Sequence, residues 1–143
     1  MSVDYLHLPE GRKPPEHEGG VPFRAIIVAD QSVDADWRSL VTGWLVRSGC
    51  LYALAWGTDC EAWHDDIDEA LLVAFDFNDI PEDRHVITTW HNDEPLSEVF
   101  WFAGFCAMHE KVDLDQTLIV HISPKERETE MRRVYGAAQL FEA

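Results

Sequence analysis

The residues best suited to chemistry in this 143-residue chain stand next to one another: His91, Asn92, Asp93 and Glu94. They follow the apolar, β-branched run His85-Val86-Ile87-Thr88-Thr89-Trp90 and precede Pro95. An imidazole beside a carboxylate is the arrangement of an oriented general base, with His91 moving the proton and Asp93 holding the ring. Carboxylates also supply the oxygen donors that Mg²⁺, Mn²⁺ or Ca²⁺ take. In a catalytic reading His91, Asp93 and Glu94 act on substrate, and Asp30, Asp59 and Asp93 hold a divalent cation that activates water. Such a site would serve a small metal-assisted hydrolase or transferase. Glu98 lies one turn after Glu94, within reach of either arrangement.

The elements around these residues alternate. Phe23–Ala29 and Leu51–Trp56 are short apolar runs, as are His85–Trp90 and Thr117–Ile122; each reads as a strand buried on both faces. Between and after them lie four amphipathic stretches. Val33, Trp37, Leu40, Val41, Trp44 and Leu45 recur at helical spacing, and Trp63, Ile67, Ala70, Leu71 and Ala74 do the same. Thr58–Glu61 and Ser123–Glu126 match the capping-box pattern. A third helix starts near Pro95 and runs to about His109; a fourth carries Met131, Val134, Tyr135 and Ala138 inward. Strands joined by helices imply a parallel sheet with right-handed crossovers. The expected fold is α/β, a small Rossmann or flavodoxin-like three-layer sandwich with a four-stranded, mainly parallel sheet. A strand order of 2-1-3-4 is the working expectation. Residues 1–21, interrupted by Gly11, Pro14, Pro15, Gly19 and Gly20, read as an irregular arm before a single domain over 22–143.

A parallel sheet places all strand carboxyl ends on one edge, where ligands of such folds bind. Asp30, Gln31 and Ser32 reach it after the first run, Thr58 and Asp59 after the second, and His91–Glu94 after the third. With that strand order Asp30 and His91–Asp93 would face one crevice. Asp30, Ser32, Asp59 and Asn92 are then ligand- or partner-binding candidates. The plainer alternative is that Asn92 and Asp93 cap the third helix, Thr58 and Ser123 cap theirs, and His121 is a satisfied core or edge histidine.

The absences are informative. Ala29–Asp34 has no glycine, so the first turn cannot be a dinucleotide-binding or Walker-type loop, where backbone must approach phosphate closely. No G-x-S-x-G elbow exists. No cofactor is expected, the alternative being a divalent cation such as Mg²⁺ or Mn²⁺. Three cysteines, Cys50, Cys60 and Cys106, are too few and odd in number for a disulfide framework. No apolar run is long enough for a membrane span, and the N-terminus lacks signal-peptide features. These features together point to a cytoplasmic protein.

The net charge is −16, and residues 48–110 contain fourteen acids with Arg84 as the lone base. Nucleic-acid binding through a basic surface is therefore excluded, whereas cations or a basic protein face would be attracted. In the third helix Leu96, Val99, Phe100, Ala103, Cys106 and Ala107 form the inward face, yet Trp101, Phe102 and Phe105 fall outside it. Such a helix offers an apolar face to a partner or a second copy, unless a terminal segment covers it.

The segment Trp90-His91-Asn92-Asp93-Glu94-Pro95-Leu96, continuing to Ala103, resembles the signature of a small bacterial family of unknown function. The resemblance extends weakly over residues 22–123. It implies a compact cytoplasmic bacterial domain and brings no catalytic residue. The alternation also distantly resembles TIR-type and nucleoside-deoxyribosyltransferase-type sheets without their glycine-bearing loops, which implies a fold and no activity. The reading that results is an acidic α/β binding or regulatory domain acting through a protein partner or a homodimer, in the manner of an immunity or inhibitor protein.

Overall fold

Five segments form strands that lie parallel in one sheet: β1 (Ser2–His7), β2 (Phe23–Ala29), β3 (Cys50–Gly57), β4 (Ile87–His91) and β5 (Gln116–Ile122). The helices are α1 (Ala35–Arg47), α2 (Cys60–Ala74), α3 (Leu96–Phe105) and α4 (Glu128–Ala138), with a 3-10 turn at Glu82–Arg84. The computed structural model describes residues 2–16 and 20–141. The sheet order is β1-β5-β2-β3-β4, a flavodoxin-like α/β arrangement. Helices α1 and α2 pack on one face around Trp37, Leu45, Trp63 and Ile67. Helices α3 and α4 pack on the other around Phe100, Ala103, Met131 and Tyr135.

Two expectations need correction. The sheet has five strands, because Ser2–His7 of the expected arm is a strand; residues 1 and 17–19 of that arm lie outside the described residues. Ser2–His7 pairs along the whole of β5, and Leu8 behind it is fully buried. The following residues are tied down as well: Trp37 Nε1 donates to the Arg12 carbonyl at 2.9 Å and Trp44 Nε1 to that of Pro15 at 2.7 Å. The order 2-1-3-4 also fails. The first apolar run, β2, lies between β3 and β5, and α3 carries the chain from β4 back to the far side of β2. Burial explains the choice. Most of β5 is buried, which suits an interior strand, whereas Thr88, Thr89, Trp90 and His91 leave β4 suited to an edge.

Both capping-box patterns also go unused. Thr58 N–H remains in the strand ladder, donating to the Ala29 carbonyl at 2.8 Å, and α2 starts behind Asp59 in a left-handed conformation. Ser123 Oγ donates to the Lys125 carbonyl at 2.7 Å, and α4 begins only at Glu128.

Candidate functional site

The chain leaves β2 towards the α1 layer and leaves β5 towards the α4 layer. The crevice of this fold therefore opens between the carboxyl ends of β2 and β5. Asp30 and His121 meet there, with His121 Nε2 and Asp30 Oδ2 2.5 Å apart. On the other side of the ring, His121 Nδ1 lies 2.7 Å from Tyr5 Oη. Tyr5 Oη in turn accepts from the Arg127 N–H at 3.0 Å. One proton arrangement satisfies all four groups: Arg127 N–H donates to Tyr5, Tyr5 donates to Nδ1, and Nε2–H donates to Asp30. The His121 ring has no exposed surface, while Asp30 is about a third exposed. Burial pushes the Tyr5 phenol above its ordinary range, assisted by Glu126, Glu128 and Asp30 and opposed by the Arg127 N–H. His7 flanks the cluster, its Nε2 2.8 Å from the Ser123 carbonyl.

Four other sequence candidates fall into two separate pairs. Ser32 Oγ donates to Asp59 Oδ2 at 2.8 Å. His91 Nδ1 lies 2.7 Å from Glu94 Oε2, and Thr89 Oγ1 lies 2.8 Å from His91 Nε2. The carboxylate orienting His91 is thus Glu94, not Asp93. Asp93 takes a left-handed turn (φ 62°), which an aspartate tolerates and which brings Glu94 back towards the ring. Trp56 Nε1 fixes that turn by donating to the Glu94 carbonyl at 2.7 Å. Asn92 and Asp93 are exposed and do not cap α3, whose cap position is Pro95 with no side-chain bond.

The proposed metal trio is not assembled. Asp30 follows β2 and Asp93 follows β4, and with β3 between them those two strands lie about 10 Å apart at the usual spacing. Asp59 stands between and is engaged by Ser32. Among the described residues no group of three or more His, Cys, Asp or Glu is placed to hold a metal ion. The edge is a row of hydrogen-bonded pairs rather than a convergent carboxylate site.

The sequence places Asp30 at this edge and reads His121 as a satisfied core or edge histidine, which its burial and two hydrogen bonds bear out; it does not pair the two, and it does not point to Tyr5. Tyr5 carried one usable signal: in Ser2–His7 the residues Val3, Tyr5 and His7 alternate with Ser2, Asp4 and Leu6, a strand pattern. Thr89 and the tilted contact of His64 with Trp90, with ring centroids 4.6 Å apart, carry no such signal in the sequence.

The apolar candidates on α3 divide. Phe102 is half-buried, its ring 5.6 Å from that of His91. Trp101 is half-buried too, with Nε1 donating to the Phe141 carbonyl at 3.1 Å. Its ring lies 5.6 Å from that of Phe105, which is 44% exposed. The C-terminal segment touches Trp101 without covering Phe105, and it adds its own exposed Leu140 and Phe141.

A family model matches residues 3–138, from β1 through α4. The chain belongs to DUF7684. That family is described as a domain of unknown function. The DUF7684 match takes in Tyr5, His7 and nearly the whole of β1, so the Tyr5–His121–Asp30 chain lies inside the domain. No curated protein and no solved structure matches the chain.

Proposed function

We propose that this DUF7684 domain is a protein-binding module that docks a basic partner, with the outer face of α3 as its apolar anchor. The observation that carries this reading is the apolar row of half-buried Trp101 and exposed Phe105, Leu140 and Phe141 on a strongly acidic molecule. Aromatic side chains concentrate at interface centres, and charge complementarity selects and steers the partner. The fourteen acids of residues 48–110 all belong to the part of the chain that builds β3, α2, β4 and α3. A homodimer through that half would bring like charges together, which favours a basic protein over a second copy. An inhibitor or immunity role, masking a cationic surface, fits this chemistry. The described cysteines are all free, which agrees with a reducing, cytoplasmic setting.

The test is affinity isolation from source cells with the native chain and Phe105→Glu side by side, together with light scattering of each. Recovery of a basic protein that salt releases, and that the variant loses at unchanged melting temperature, supports the reading. Identical recoveries by both forms, or a stable homodimer that the variant dissociates, would overturn it.

A further inference from the structure

The two edges of the sheet are treated differently. Along β1 the even residues bond to β5, as the Ser2 and Leu8 amides show, so Val3, Tyr5 and His7 turn their amides and carbonyls outward. That edge is obstructed: the Arg132 guanidinium, reaching from α4, donates to the Val3 carbonyl at 2.8 Å. The same alternation can be followed across the sheet. Ala29 accepts from Thr58 N–H, so the even residues of β3 face β2 and the odd ones face β4. In the β3–β4 register Ala53 is opposite Thr88 and Ala55 opposite Trp90. Thr88 and Trp90 therefore present their amides and carbonyls to the outside. Among the described residues no backbone or side-chain group bonds to them there.

Edges are usually protected by lysine, proline, a bulge or a covering segment. Ile87-Thr88-Thr89-Trp90-His91 has none of the first three, and Trp90 is 46% exposed. Lys111 stands near the Ile87 end of the strand, but along Thr88–His91 the bonded charges are negative. Asp68 accepts from Thr88 Oγ1 at 3.1 Å, Asp65 sits on the His64 whose ring packs tilted against Trp90, and Glu94 closes the far end. Two such edges would repel each other, so the acids oppose self-pairing. They leave the ladder open to a strand of opposite charge.

We infer that the β4 edge accepts an extended, arginine- or lysine-rich segment of a partner protein as a sixth strand. The inference rests on the basic-partner reading above and adds its mode. Main-chain bonds to Thr88 and Trp90 supply register, and cationic side chains meet Asp65, Asp68 and the face of Trp90.

The experiment uses the full chain and two synthetic peptides of equal charge, one alternating arginine with valine, the other the same sequence with every backbone amide N-methylated. N-methylation removes the amides a ladder needs while leaving the charge. The unmethylated peptide should bind about tenfold tighter or more, and should slow amide exchange at Thr88 and Trp90. Thr88→Pro removes the outward amide and the Asp68 bond but no amide that faces β3, so it should abolish the preference while keeping the β3 pairing. Thr88→Ala, which loses the Asp68 bond alone, should retain it, as should Phe105→Glu. Equal binding of the two peptides, or a preference that survives in Thr88→Pro, would overturn strand addition and leave the basic-partner reading standing. Binding of neither peptide at low salt would overturn both.

Discussion

Tyr5 and His121, 116 positions apart, share a 2.7 Å hydrogen bond that fastens the first strand to the carboxyl end of β5. The bond is part of a closed chain from Arg127 N–H to Asp30, so removing one hydroxyl strips two partners at once. Tyr5→Phe should cost about 1–3 kcal/mol, because His121 Nδ1 is buried without a donor and Arg127 N–H loses its acceptor. Urea unfolding measures the loss, and hydrogen exchange should show β1 amides weakening more than those of β2. An unchanged midpoint would mean that solvent replaces the phenol.

Most of the architecture is legible in local pattern. The apolar runs of β2, β3 and β5, and the Trp37/Val41/Trp44 and Trp63/Ile67/Leu71 faces, declare themselves because burial demands them. The parts that stay hidden depend on distant choices. Nothing near Asp30 announces that its neighbour is His121 rather than His91; that follows from which side of β2 receives β5. Ser2–His7 is obscured because an edge strand needs few apolar residues and the Gly/Pro-rich stretch behind it reads as loop. The capping patterns mislead for a related reason. Thr58 and Glu61 have the right spacing, but the ladder keeps Thr58 N–H in the sheet.

Two glycines should answer an alanine substitution with opposite signs. Gly57 ends β3 at φ +97°, and a Cβ there would lie 2.3 Å from the Ala29 carbonyl oxygen. That oxygen accepts from Thr58 N–H and cannot retreat without breaking the ladder. Gly57→Ala should cost at least about 2 kcal/mol, from left-handed strain plus the clash. Gly136 sits in α4, and a Cβ added there would meet nothing within 4 Å. Gly136→Ala should stabilise by about 0.5–1 kcal/mol. Paired thermal melts read both signs, and a tolerated Gly57→Ala would show that the strand end relaxes.

Alkali should unfold this protein through buried acids that resist ionisation. Burial pushes the Cys50 thiol up to about 12 from an ordinary 9.0. The unfolded chain releases that proton first, so its stabilising contribution is complete below about pH 9 and is lost as the pH rises towards 12. Tyr5, Tyr52 and Tyr135 are also raised by burial and add the same sign at higher pH. Stability should fall by up to about 1.4 kcal/mol per pH unit from Cys50 alone. Urea midpoints at pH 8, 9 and 10 in reductant measure it. Cys50→Ala should start lower and fall less steeply over that interval; parallel slopes would count against the assignment.

Divalent cations should raise the melting temperature only weakly and only as far as ionic strength does. Tight oxygen-ligand sites gather six or so donors around one point. Here Asp30 is committed to His121, Asp59 to Ser32 and Glu94 to His91. Mg²⁺, Mn²⁺ and Ca²⁺ should act by screening a net charge of −16, an effect that scales with ionic strength. A specific site behaves differently, since a ligand of the native state shifts the transition in proportion to the logarithm of its concentration above the dissociation constant. Thermal melts of EDTA-treated protein at matched ionic strength separate the two. A shift at matched ionic strength that grows with the logarithm of the ion concentration and that Asp93→Asn removes would mean that the strand edge rearranges around an ion, and would revive the metal-assisted hydrolase or transferase reading with His91 as its base.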